Sequence, residues 1–297
     1  ETLLEGAPKA ELHRQNIDSE LKFARTFPKH PQANVVITRA AQQIFDMNDL
    51  PRAVEVAHEV LARQPPVDAQ KQRSVWTIVG HSEFDLGHFD RSEAAYIEVQ
   101  KLMPADDKDR QAIVERLASS IYKQGEQKNK GGDGEGAVSD FLRVGQLAPG
   151  STIRATADFD AATVLINSKQ WDRAIPVLEG FRRNFPQHKL GADVTRKLAV
   201  AYSESNHPGE AAAEFERIAQ NPTEDPAVQR EAVSQAADLY ARTGNRPKAT
   251  VMLEQLVARY PTPLDPAIEA RQKLADYALK DNDRARYENW LKEIVRA

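Results

Sequence analysis

No cysteine occurs among the 297 residues, which excludes disulfides, thiolate nucleophiles and cysteine-type zinc sites and fits an oxidising compartment. Nor is there an excess of charge of one sign. Forty Lys and Arg against 44 Asp and Glu leave a net charge of −4 with both signs interspersed, so no basic stripe offers itself to a phosphate backbone and nucleic acid is not an expected partner. No run approaches the roughly 18 apolar residues needed to span a bilayer. Aromatics are scarce at 7% and glycine is limited to 14 residues, while Ala, Leu, Glu, Gln and Arg are abundant and β-branched runs are few. That composition suits a chain that is helical almost throughout. The first residue is Glu1 and no charged-then-apolar signal segment precedes the first helix. The chain is therefore expected to be a single domain, 1–297, processed or excised from a longer product whose missing end would have carried any signal peptide or lipid anchor.

What is present is a repeat. Prolines at Pro28, Pro65, Pro104, Pro149, Pro186, Pro222 and Pro261 each follow an amphipathic stretch, at successive spacings of 37, 39, 45, 37, 36 and 39 residues. Proline lacks an amide donor and disfavours helix in the residue before it, so each marks a helix end. Three of these ends share one phrase: Arg25-Thr26-Phe27-Pro28, Arg183-Asn184-Phe185-Pro186 and Arg259-Tyr260-Pro261. Twelve residues before most of the prolines stands a small residue, Ala53, Ser92, Ala137, Ala174 or Ala249, with Ala211 eleven before Pro222. One turn later comes a bulkier packing group, as Tyr96, Phe141, Leu178, Phe215 and Leu253. A second small residue recurs twelve positions earlier, as Ala41, Gly80, Ala162, Ala199 and Ala237. Paired small residues at helical register predict pairs of closely approaching helices.

These residues resemble the tetratricopeptide repeat, whose unit has a large residue, Leu-Gly, Tyr, Ala, Phe, Ala and Pro at set offsets. Trp76, Val79, Gly80, Gly87, Phe89, Tyr96 and Pro104 fall at those places, with Ser92 where the family has alanine and Glu83 where it has tyrosine. The resemblance implies an all-α solenoid, a right-handed superhelix of about seven helix pairs behind one unpaired N-terminal helix. The expected spans are 9–27 for that helix and 32–64, 69–103, 108–148, 151–185, 189–221, 226–260 and 266–296 for the pairs. The longest unit is expected to carry its extra residues as a flexible solvated insertion over 128–136, from Lys128 to Gly136. That segment has neither the lysine and hydroxyl of a phosphate loop nor the alternating oxygens of a calcium loop. Trp76 and Trp171 are assigned to packing between repeats.

Catalytic chemistry finds no pattern to occupy. The seven histidines include no His-Glu-x-x-His pair, and no nucleophile elbow, dinucleotide fingerprint or Walker loop occurs. His81 and Asp85, with His88 in the next turn, form the one spacing a metal could use, and an ordinary groove histidine is the competing reading. We expect no enzyme activity, no cofactor and no metal. Function is expected on the concave face, lined by the first helix of each pair. The family's groove positions fall on Thr38, Gln42 and Phe45; Thr77, His81 and Phe84; Glu115, Ser119 and Tyr122; Phe159, Thr163 and Ile166; then Arg196, Ser203, Ser234 and Asp238. Phe45, Phe84, Tyr122 and Ile166 correspond, so they are either an apolar stripe for a peptide or helix or packing between neighbouring repeats.

Units of 36 to 39 residues ending in Arg-x-Phe-Pro or Arg-Tyr-Pro also resemble the repeats of bacterial envelope proteins of the BamD and CpoB families. This likeness implies a periplasmic scaffold or adaptor, outer-membrane-associated through a missing N-terminal segment. Its partner would be a protein or peptide of an assembly, energy-transduction, export or protease machinery. The alternative is a cytoplasmic tetratricopeptide adaptor or chaperone-like peptide binder. Against it, the first-helix positions give Thr, His, Glu, Phe and Arg in place of the repeated Lys and Asn that clamp a peptide carboxylate.

Overall fold

The computed structural model describes residues 7–262 and 264–296. Among them are fifteen helices and no strand. Helix α1 (Ala7–Thr26) stands alone. Seven helical hairpins follow: α2 (Ala33–Asp46) with α3 (Leu50–Leu61), α4 (Ala69–Asp85) with α5 (Phe89–Leu102), α6 (Arg110–Lys130) with α7 (Gly134–Leu147), α8 (Arg154–Asn167) with α9 (Trp171–Asn184), α10 (Gly191–Glu204) with α11 (Pro208–Gln220), α12 (Pro226–Arg242) with α13 (Arg246–Arg259), and α14 (Leu264–Lys280) with α15 (Arg284–Arg296). The all-α, tetratricopeptide-like architecture is the one the repeat implied. Contacts divide the chain into two compact units, Glu1–Ala157 and Asp158–Ala297. In the first, each helix from α1 to α7 packs on the next and α2 also touches α4; in the second, α9 to α15 pack in the same sequential way.

Each hairpin turns on one residue in the left-handed region: Asn48, Gly87, Gly132, Lys169, Asn206, Gly244 and Asn282, with φ between 56° and 86°. Glycine takes this conformation without a Cβ clash and asparagine tolerates it, so three glycines and three asparagines are expected choices. Lys169 is the departure. Every one of them lies seven residues after the first-helix small position, which fixes the register of the turn from one hairpin to the next.

That register corrects the expectation of a flexible insertion at 128–136. Lys128–Lys130 close α6 and Gly134–Gly136 open α7, leaving only Gly131, Gly132 and Asp133 between them. Asp133 accepts the Gly136 amide at 2.9 Å and caps α7, while Gly132, at φ 86°, makes the reversal. The extra length lies at the other end of α6, a 21-residue helix that begins well before its buried Gly125. Gly125 stands twelve residues before Ala137, as Gly80 does before Ser92. The turn is therefore of ordinary length.

The small residues bring the two helices of a hairpin together. Ala53, Ser92, Ala137, Ala174, Ala211 and Ala249 are all 0% exposed. A methyl group at Gly80 would meet the Tyr96 ring at 2.8 Å, and one at Gly125 the Phe141 ring at 2.7 Å. Ser92 replaces alanine at the crossing because its hydroxyl has work there: Oγ donates to the Gly80 carbonyl at 2.9 Å and lies 2.9 Å from the Ser120 hydroxyl of α6. The last hairpin departs from the rule. Tyr287 occupies the second-helix small position, twelve after Ala275, and none of the residues of α15 is buried.

Two glycine substitutions separate crowding from helix propensity. Alanine favours helix over glycine by about 1 kcal/mol, yet Gly125→Ala must displace the buried Phe141 ring, and overpacking costs about 1 to 3 kcal/mol. Gly125→Ala is expected to lower urea stability, whereas Gly209→Ala, with nothing within 4 Å of the added methyl, should stay within about 0.5 kcal/mol of the parent or rise. Equal effects at both sites would refute close approach as the constraint.

Candidate functional site

The first-helix positions singled out in the sequence remain accessible. Thr38, Phe45, Thr77, His81, Phe84, Glu115, Ser119, Tyr122, Phe159, Thr163, Ile166, Arg196 and Ser234 are half-buried, and Gln42, Ser203 and Asp238 are exposed. Helix periodicity explains why. The small and aliphatic residues of each first helix take the inward side, and these positions fall beside them at the edge of the buried stripe.

Their polar groups are largely engaged within the scaffold. Thr38, Thr77, Ser119, Thr163 and Ser203 each donate their hydroxyl to the carbonyl one turn back, at 2.7 to 2.9 Å. A partner would meet the remaining lone pairs, so these hydroxyls can accept but not donate without breaking that bond. Gln42 donates to Asp46 at 2.8 Å, Asp238 pairs with Lys273 at 2.7 Å, and Arg196 is held between Asp193 and Glu224. Glu115 is the most heavily engaged. It accepts from Ser151 Oγ at 2.6 Å, the Thr152 amide at 2.9 Å, Thr152 Oγ1 at 3.1 Å and Gln111 at 3.0 Å, fixing the turn that enters α8.

The aromatic positions divide into clusters. The Phe45 ring stacks on His81 with centroids 6.1 Å apart, and His81 meets the Tyr96 ring edge-on while its Nδ1 lies 2.7 Å from the Tyr96 hydroxyl. Burial, aided by the nearby Arg116 guanidinium, pushes the His81 pKa down and burial pushes the Tyr96 hydroxyl up. Both groups are thus neutral at physiological pH. His88 is turned elsewhere, onto Glu83 at 2.7 Å, so His81, Asp85 and His88 are not brought to one point. Among the described residues no group of three His, Asp or Glu side chains could hold a metal ion.

Phe84 and Tyr122 lean on second-helix rings, Phe89 at 5.1 Å and Phe141 at 5.2 Å, and so do pack within the scaffold. Their outer sides nevertheless meet. Phe84 of α4, Ser119 and Tyr122 of α6 and, just ahead of and within α8, Ile153 and Thr156 line a cleft of about 290 Å3, with Lys123 on its rim. Three consecutive first-helix elements of one unit thereby contribute to a single apolar hollow. Sequence reasoning found Phe84, Ser119 and Tyr122, although the register set by Gly125 puts Tyr122 level with Thr77 and not, as expected, with Phe45, Phe84 and Ile166; it missed Lys123, Ile153 and Thr156, because the family's groove offsets begin inside each helix and Ile153 precedes α8. In the second unit, Phe159 packs edge-on to Phe181 at 6.4 Å and carries the Lys197 ammonium 5.1 Å from its centroid. Burial pushes the Lys197 pKa down. Among the described residues no helix is long and apolar enough to cross a membrane.

Glu115 supplies a pH test of the scaffold beneath the cleft. Burial alone would raise its carboxyl, but the bonds from Ser151, Thr152 and Gln111 prevail and hold it below the ordinary 4.5. A depressed folded pKa contributes stability that is complete above the unfolded value and is lost as pH falls through the folded one. Glu115→Ala should cost about 1 to 2 kcal/mol at neutral pH and should flatten the stability decline below pH 4.5. Urea titrations at a series of pH values check both; parallel curves for parent and variant would contradict the assignment.

Comparison with known proteins supplies one local match and several distant folds. Searching curated proteins returns no match. Among solved structures, the C-terminal part of a TPR repeat-containing protein from Cytophaga hutchinsonii is 17% identical, with 87% of this chain and 94% of that one covered at a TM-score of 0.36. PilW, a type IV pilus biogenesis factor, is 15% identical over 80% of this chain and 98% of its own, at 0.35. YrrB, a TPR protein with an unusual peptide-binding site, is 13% identical over 71% and 96%, at 0.34. Residues 231–263, which cover most of α12 and all of α13, match the family described as Tetratricopeptide repeat, whereas motif spacing had singled out the α4–α5 hairpin.

Proposed function

We propose that this chain is a non-catalytic scaffold that holds a partner protein or peptide against the first-helix face of its Glu1–Ala157 unit. The observation that carries the reading is the cleft between Phe84, Tyr122 and Ile153. Aromatic groups that are half-exposed, backed by a second ring and set in an apolar hollow are suited to anchor a partner side chain, since they lose little conformational entropy on binding. The hydroxyls along the face accept hydrogen bonds from a partner's amides, and Lys123 adds a cation at the rim. An extended peptide or one face of a helix fits this arrangement.

We place the scaffold in the bacterial cell envelope, in the periplasm and associated with the outer membrane. Support for this comes from the unit lengths and the Arg-x-Phe-Pro and Arg-Tyr-Pro helix endings that resemble the BamD and CpoB families. Cell fractionation of the full-length gene product tests it: recovery in periplasmic or outer-membrane fractions is expected, and recovery in the cytoplasm would favour the adaptor alternative.

For the binding face, a partner recovered by pulldown from envelope extract is titrated against variants. Phe84→Ala combined with Tyr122→Ala should weaken association by about 2 kcal/mol or more if these are central anchors. Because both rings also pack on Phe89 and Phe141, Thr156→Arg provides a second variant that blocks the cleft from its half-buried rim without removing a ring. Lys130→Ala, at the α6–α7 turn, should bind as the parent does. A partner that tolerates both the double variant, still folded, and Thr156→Arg would place recognition elsewhere.

A further inference from the structure

The unit that carries the cleft has a second hollow, on the other side of α4. Thr77, His81 and Phe84 point along one stripe of that helix, while Trp76, Val79 and Glu83 lie more than a quarter turn away. Between α3 and α5, over these residues, the surface encloses about 560 Å3. α5 contributes Arg91, Ala94, Ala95 and Glu98 to its lining, and the two alanines between the charged groups leave the volume open. Trp76 lines it, half-buried, with His58 of α3 edge-to-ring at 6.1 Å. Packing between repeats accounts for the buried side of this indole and leaves the side facing the hollow without a role.

The hollow combines an apolar wall of Val54, Val79, Ala94 and Ala95 with two carboxylates, Glu83 and Glu98, against one cation, Arg91. Glu83 stands where the repeat ordinarily has tyrosine, and it is only 3% exposed. Its Oε2 takes the His88 ring nitrogen at 2.7 Å, but Oε1 has only Arg91 at 3.8 Å, beyond hydrogen-bond reach, and Arg91 stands 65% exposed at the mouth. Glu83 lines the hollow, and this oxygen has a long ion pair there but no hydrogen bond. Glu98 lies on the rim, paired with Lys101 in a solvent-exposed contact at 2.7 Å that is readily exchanged.

We infer that this hollow receives a basic side chain, arginine or lysine, projected by a partner protein. An indole, an apolar wall that accommodates a methylene stem and a deep carboxylate with one oxygen held only by a long ion pair to exposed Arg91 are together complementary to a cation on an aliphatic arm. An apolar side chain would fill the volume but leave Glu83 Oε1 with the long Arg91 contact alone. The site is distinct from the first-helix face, so a partner could engage it whether or not the Phe84–Tyr122 cleft is used.

The test uses the full chain labelled with nitrogen-15, whose three tryptophans give three indole signals, assigned with Trp76→Phe; Trp171 and Trp290 serve as internal controls. Capped tripeptides Ala-Xaa-Ala are titrated with arginine, lysine, citrulline or leucine at the centre. The Trp76 signal should move with the arginine and lysine peptides and stay in place with citrulline and leucine. Glu83→Gln should weaken the response about tenfold, the loss of one charge-assisted contact. Glu98→Gln, at a side chain 39% exposed, should weaken it in the same direction and keeps the test decisive should Glu83→Gln disturb folding. Equal movement with citrulline or leucine, no movement of Trp76 with any peptide, or full response in both glutamine variants would overturn the assignment.

Discussion

The close approach of two helices where the first carries a small residue, seen directly at Gly80 and Gly125, is the constraint on which the other features rest. At Gly80 the missing side chain admits the Tyr96 ring, and at Gly125 that of Phe141. The consequences reach the surface. Because Tyr96 fills the space over Gly80, its hydroxyl meets His81, and His81 in turn supports the Phe45 ring. Because Phe141 fills the space over Gly125, Tyr122 has a ring to lean on at 5.2 Å. The aromatic groups of the first-helix face are thus set in place from beneath by backbone proximity.

Polar contacts then tie successive hairpins, two of them across 34 residues and two across 23 or 24. Arg25 donates to Glu59 at 3.0 Å, Arg73 pairs with Asp107, Tyr202 donates to Glu179 at 2.6 Å and Tyr240 to Glu216 at 2.6 Å. The exposed pair, Arg25 with Glu59, contributes little by itself. The recurrence of such contacts favours one register over another, since a slipped stack would leave each group beside the wrong neighbour. The deeper set around Glu93, which takes Gln124 Nε2 at 2.6 Å and pairs with Arg143, and around Asp140, which pairs with Arg143 at 2.8 Å, joins α5, α6 and α7 through buried charge. Breaking one member there would strand the others away from water.

A repeat scaffold carries function only through what particular residues present. Here the substitutions that depart from the repeat are the informative ones. Ser92, in place of alanine, bridges α4 to α6 and is structural. Glu83, in place of tyrosine, puts a carboxylate under Trp76 and changes the chemistry of that surface. Tyr287, in place of a small residue, accompanies a last helix with nothing buried.

The sequence by itself determined the helices, their pairing and the turns, because proline position, small-residue spacing and apolar period are local signals that survive without neighbours. The expected spans agree with the observed helices to within three residues at most ends. Even the error at 128–136 was correctable in sequence: the twelve-residue interval from Gly125 to Ala137 left no room for an insertion at that turn. Which side chains remain available was decided by tertiary structure alone. Glu115 was indistinguishable in sequence from any groove carboxylate until Ser151 and Thr152, more than thirty residues on, were seen to occupy it. Ile153 and Thr156 join Phe84 in one cleft only because successive first helices lie side by side, and Glu83 and Trp76 share a hollow only because α5 presents alanines there. Burial, pairing and the emptiness between side chains depend on residues distant along the chain, and no local period encodes them.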